Sequence, residues 1–237
     1  PKDDDMALAK WQKQARKRLR NVIRLMEVPA ATAERKSEST LEGARSTTYV
    51  LKTGEWSTPA LVIEPASGKS SATTVLFGDA GKAKLADVAA KLVESGSRVV
   101  AVDLVLQGEC LIDDKNHYQY AAIIETTGER VLGQNVAQLG SIVEWARKEF
   151  DAPVAIHSKG WVSGVAALMY GGLHRKELHH LTTEDAPASL KDLVTQRVPY
   201  DDFHTLFCFG LLQEFDMPDL AAMCQGTQVN VHRVKKS

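Results

Sequence analysis

Three short segments of this chain combine residue types that can do chemistry. In Val154-Ala155-Ile156-His157-Ser158-Lys159-Gly160 a serine closes an apolar run and a glycine follows two residues later. A serine held on a sharp strand-to-helix turn can act as an acyl-transfer nucleophile, and the turn requires small neighbours in the pattern G-x-S-x-G. Gly160 supplies the second glycine, while Ile156 stands where the first should be. A shifted register, which lines up the small residues Gly164, Ala167 and Gly171, puts Trp161 in the nucleophile position instead, where no ester can be attacked.

The second segment, Gly78-Asp79-Ala80-Gly81-Lys82, follows one apolar run and opens a helical one, so its backbone N–H groups can face an anion. Asp79 and Ala80, with Lys159 beyond Ser158, then form a candidate oxyanion hole, and a plain tight turn is the competing reading. Phosphate-loop spacing is not met, because Leu76 lies five residues before Gly81 and Ala83 follows the lysine. The dinucleotide fingerprint fails at Ala80, which leaves Asp103 as an isolated ribose-type acid, and Ser67-Gly68-Lys69-Ser70 precedes a strand where it should follow one.

A serine nucleophile also needs a base and an orienting acid. His174, His179, His180, His204 and His232 lie downstream of Ser158. His179 and His180 fall in a β-like run, so His204 in Tyr200-Asp201-Asp202-Phe203-His204 is the candidate base by its loop position. Asp201, Asp202, Asp216 and Asp219 are the acids on offer, with Asp216 completing a candidate set of Ser158, His204 and Asp216. The competing reading for each is an ordinary polar loop residue.

The elements that must position these residues follow from periodicity. Trp11, Ala15, Leu19, Val22, Ile23 and Met26 recur at helical spacing among lysines and arginines, which predicts a basic amphipathic helix. Residues 29–45, rich in Ala, Ser, Thr and Glu, read as a linker, so residues 1–45 form a helix-plus-linker segment ahead of a domain at 46–237. A hairpin is predicted over 47–65 around Gly54. Strands at 74–77, 98–103, 153–156 and 178–182 alternate with helices at 83–94, 134–150 and 161–170, which implies a mainly parallel sheet covered on both faces. Ligands of such sheets sit at the carboxyl ends of the strands, and that rule selects the loops at 78–81, 103–108 and 157–160.

Composition narrows the function classes. At 237 residues and 44% hydrophobic content the chain can bury one substantial core. A net charge of −1 gives no global attraction to nucleic acid or anionic membrane. No apolar run reaches the ~18 residues of a membrane span. Pro1-Lys2-Asp3-Asp4-Asp5 is no signal peptide. Cys110, Cys208 and Cys224 show no metal-ligand spacing and read as buried free thiols; no metal site and no cofactor is indicated.

The succession Ala60–Pro65, Val75–Gly81, Gly96–Asp103 and Val154–Gly160, followed by Gly210-Leu211-Leu212-Gln213-Glu214-Phe215-Asp216-Met217-Pro218-Asp219-Leu220, resembles the acetylxylan-esterase-like α/β hydrolases of bacteria. The likeness is to the carboxy-terminal hydrolase-like domain of their long members in particular. It implies an α/β-hydrolase-like sheet with an N-terminal antiparallel hairpin, and an export compartment, secreted or periplasmic. It also implies an acid after a late strand and a histidine after the last one. Gln228–Val234 reads as that late strand, so the loops for acid and base are expected to be missing and the sheet truncated. Two functions stand side by side: a carbohydrate esterase of weak or no activity, acting on acylated polysaccharide, or a non-catalytic module serving a second hydrolase domain in a longer polypeptide.

Overall fold

The computed structural model describes residues 2–41, 43–112, 116–225 and 228–233. In chain order, helix α1 (Lys2–Val22) precedes strands β1 (Thr32–Leu41), β2 (Ala44–Thr53), β3 (Trp56–Pro65) and β4 (Ala72–Gly78). Helix α2 (Ala86–Glu94), strand β5 (Ser97–Val102), helices α3 (His117–Thr126) and α4 (Val131–Phe150), strand β6 (Val154–Lys159) and helix α5 (Trp161–Leu173) follow. Strand β7 (His180–Ala186), helices α6 (Asp192–Thr195), α7 (Tyr200–Phe203), α8 (Leu211–Glu214) and α9 (Met217–Met223), and strand β8 (Gln228–Arg233) complete the order.

One eight-stranded sheet runs β1-β2-β3-β5-β4-β6-β7-β8. The first three strands and β5 pair antiparallel, and β5, β4, β6, β7 and β8 pair parallel. The predicted hairpin is present as β2 and β3. The linker expected over 29–45 is not: Thr32–Leu41 is a strand laddered to β2 along its length. Its sequence hid this because its described side chains are exposed, so no apolar alternation marks an edge strand held mainly by backbone hydrogen bonds. Nor is the first helix a separate unit, since Ala15, Leu19 and Ile23 are fully buried in the main core.

Val75, Phe77, Val100, Val102, Val154 and Ile156 point to one side of the sheet and share that core with buried residues of α4, α5 and α9. Leu76, Val99 and Ala101 point to the other side, against Ala89 of α2. Helices therefore lie on both faces, as the strand pattern predicted. Along β6 and β7 the second face carries His157, Lys159, His180, Thr182 and Glu184, all partly exposed, with His157 Nε2 3.1 Å from Glu184 Oε1. Val229 and Val231 of β8 pack on the core, while Gln228, Asn230 and His232, which alternate with them, are exposed. No helix of the described residues is long and apolar enough to cross a membrane.

The parallel register places Phe77 beside Ser158 and Gly78 beside Lys159. The loops leaving the carboxyl ends of β4 and β6 are thereby set side by side. That register makes the site.

Candidate functional site

Strand β6 turns into α5 at a single residue, Gly160, with φ 113° and ψ 174°. This backbone region is open essentially to glycine alone. The Gly160 N–H donates to the Glu184 carbonyl at 2.9 Å, and its own carbonyl accepts the first helical bond, from Gly164 N–H at 3.0 Å. The tip of the strand-to-helix turn, where a hydrolase presents its nucleophile, is therefore Gly160. Both sequence registers miss it: Ser158 lies two residues back inside the strand, and Trp161 begins the helix.

Asp79 fills the space beside that tip. Its Oδ1 accepts from Ser163 N–H at 2.7 Å and its Oδ2 from Val162 N–H at 3.0 Å. The first turn of α5 is thus capped by a side chain from another strand's loop, and the favourable charge at a helix N-terminus meets an internal anion. Enclosure pushes the Asp79 pKa up, and the N–H donors oppose that shift. A Cβ at position 160 would stand 2.4 Å from the Asp79 carboxyl carbon. Glycine at the tip and aspartate in the neighbouring loop therefore require each other.

A second carboxylate, Asp103 at the end of β5, ties down the adjoining loops. It accepts from Lys82 N–H at 2.6 Å, Lys82 Nζ at 2.7 Å and Glu109 N–H at 3.1 Å. Gly108, with φ 48°, passes so close that a Cβ there would lie 2.4 Å from the Asp103 carboxyl group. Gln107, buried between the two knots, donates from Nε2 to Ser163 Oγ at 3.2 Å.

The residues singled out from the sequence are placed as follows. Ser158 is fully buried, and its Oγ has no hydrogen-bond partner among the described residues. His204 donates from Nδ1 to the Asp201 carbonyl at 3.1 Å, and its ring lies 4.9 Å from that of His117. Burial, with His117 beside it, holds the His204 pKa below the ordinary histidine value. The segment does approach the turn, since Phe203 packs its ring 5.0 Å from that of Trp161. Asp216 caps α9 in a reciprocal capping box with Asp219 and accepts from Leu190 N–H and Ser189 Oγ. Ser158, His204 and Asp216 are not hydrogen-bonded to one another.

Of the oxyanion candidates, Ala80 is exposed and Lys159 is a strand residue whose carbonyl accepts from Asp79 N–H at 3.0 Å. The Lys159 ammonium lies 3.8 Å from Glu184 and Asp185. Asp79 is at the site, and its carboxylate rather than its N–H faces the helix. Gly160 stands in the sequence as the second glycine of the elbow pattern, though not as its tip, while Ser163 and Gln107 carry no sequence pattern that marks them. Burial pushes the Cys110 thiol up to about 11 and those of Cys208 and Cys224 to about 12, which keeps all three protonated at neutral pH. Among the described residues no group of three or more His, Cys, Asp or Glu is arranged to hold a metal ion.

Neither a family profile nor a curated protein sequence matches the chain. Solved structures do. A Bacteroides fragilis protein described as a candidate acetyl xylan esterase superposes with a TM-score of 0.79 at 14% identity, over 94% of this chain and 67% of that one. The acetyl xylan esterase of Paenibacillus sp. R4 gives 0.62 at 13%, over 96% and 87%. The glucuronoyl esterase of Solibacter usitatus gives 0.59 at 13%, over 91% and 72%. At such identity the likeness is one of fold: the chain has the α/β-hydrolase fold of acetyl xylan esterases.

Proposed function

We propose that this chain is a non-catalytic, hydrolase-like module that serves a catalytic domain acting on acylated polysaccharide. The observation that carries the proposal is the Asp79 carboxylate bound to the N–H groups that open α5. Ester hydrolysis passes through an oxyanion that must be held by N–H donors following the nucleophile, and losing one such donor costs ~10²–10³ in rate. With Gly160 at the tip that donor would be the N–H of Trp161, and the Asp79 carboxylate is tethered directly beside it on the next two N–H groups, Val162 and Ser163. The nucleophile's place is taken by Gly160, and Ser158 has no access to solvent.

The competing reading, an esterase using Ser158, draws on the fold shared with acetyl xylan and glucuronoyl esterases. It requires a fully buried serine to reach a substrate. Hydrolysis of p-nitrophenyl acetate by the wild type and by Ser158→Ala separates the two. Equal rates near background are expected, and a large fall in the variant would establish the esterase. Binding of acetylated xylan to the wild type, followed by affinity electrophoresis, tests the glycan side of the same proposal.

A further inference from the structure

The segment between β7 and α9 turns a set of large apolar side chains outward. Phe209 is 82% exposed, and Val194, Tyr200, Phe207 and Leu212 around it are exposed as well. The local backbone explains the projection. Cys208 turns inward while Phe207 and Phe209 turn out, and Gly210, with φ 84°, reverses the chain into α8. Beside Phe209 lies a hollow of about 230 Å³ whose walls include Leu190, Leu193, Val194, Leu206 and Leu211, with Phe209 at its lip. A cavity of ~150 Å³ already admits a benzene ring. The patch thus presents an aromatic knob and an apolar hole side by side.

We propose that this patch is a two-fold interface between copies of the chain, in which Phe209 of each copy enters the hollow of the other. A knob adjacent to its own hole is self-complementary: one two-fold rotation satisfies both contacts and closes the assembly without leaving a free patch. The rim favours a copy of itself over a strongly charged partner. Lys191 and Arg197 of this segment stand with Asp192, Asp201 and Asp202, and Glu214 is paired with Arg18 at 3.4 Å, so charges of both signs are present and a second copy is not repelled. The outward apolar side chains amount to on the order of 500 Å² per copy, enough for the apolar centre of a standard interface of ~800 Å² per partner with a polar rim.

Sedimentation velocity over a concentration series tests this with two variants. Phe209→Ala removes the knob and keeps the hole; Val194→Trp keeps the knob and fills the hole. The wild type is expected to dimerise, and each variant alone to weaken dimerisation by roughly a hundred-fold, since a buried aromatic anchor is lost twice per dimer. Mixing the two variants is expected to restore association in part, because the intact knob of one meets the open hole of the other at one of the two contacts. Restoration distinguishes the interface from general stickiness, and near-UV circular dichroism checks that each variant is folded. A wild type that stays monomeric at high micromolar concentration overturns the proposal. So do variants that dimerise as well as the wild type, or a mixture that fails to associate while both variants are folded.

Discussion

The loops leaving β4 and β5 both hang on an aspartate, and the two are held differently. Asp103 is 1% exposed on its side chain and faces the Lys82 ammonium at 2.7 Å, so its charge has a counter-charge within the same knot. Among the described residues Asp79 has no ion-pair partner; its carboxylate is held by the Val162 and Ser163 N–H groups at the start of α5. A glycine lies against each, Gly108 on Asp103 and Gly160 on Asp79. The first knot is a structural tie between two loops. The second stands at the start of α5, beside the strand-to-helix tip that a hydrolase of this fold uses for its nucleophile.

The largest expected effect separates the two knots. Asp103→Ala removes the buried partner of the Lys82 ammonium and the acceptor of the Lys82 and Glu109 N–H groups; breaking a buried pair costs ~3–5 kcal/mol, and the low end applies because exposed Glu109 stays 2.6 Å from the ammonium. Urea unfolding should show a midpoint far below that of the wild type. Gly160→Ser should cost about 3 kcal/mol, from backbone strain at a positive φ and from the collision with Asp79. If the serine variant is as stable as the wild type, the turn is looser than its geometry implies and the carboxylate can move away.

Asp79→Ala sharpens the comparison at a smaller cost, about 2 kcal/mol, because it orphans N–H groups without stranding a charge. Added acetate should then raise the melting temperature of Asp79→Ala and leave that of the wild type unchanged, since the vacated N–H donors accept a small carboxylate. Absence of any acetate effect would remove the helix start as an anion site.

The smallest effect is a pH dependence arising away from both knots. Burial holds the His204 and His157 pKa values below the ordinary 6.5. The unfolded chain then binds more protons than the folded one as pH falls below 6.5, so stability is complete above that value and declines beneath it. Asp79, with its raised pKa, acts with the opposite sign, so the histidine contribution is read as a difference: between about pH 7.5 and 5.5 the urea midpoint of His204→Gln should fall less than that of the wild type. An unchanged profile in that variant would assign the dependence to other groups.

Much of the fold was legible in the sequence because burial imposes pattern. The apolar runs of β4, β5 and β6 and the small-residue face of α5 announce themselves, since a strand covered on both sides must be apolar throughout. β1 left no such trace, because its described side chains face solvent and its backbone ladder is blind to residue type. The site was legible only in outline. The rule of strand carboxyl ends found the right loops, yet Ser158, the most conspicuous residue, proves to point into the core.

The sequence by itself determined the sheet's parallel half, the three loops that converge on its carboxyl edge and the glycine that ends β6. Only the tertiary structure decided what those loops do to one another. Asp79 and Ser163 are 84 positions apart in sequence, and no spacing rule connects them. They meet because β4 and β6 are neighbours in register, and because a turn with no side chain at its tip leaves room for a carboxylate to reach the helix first.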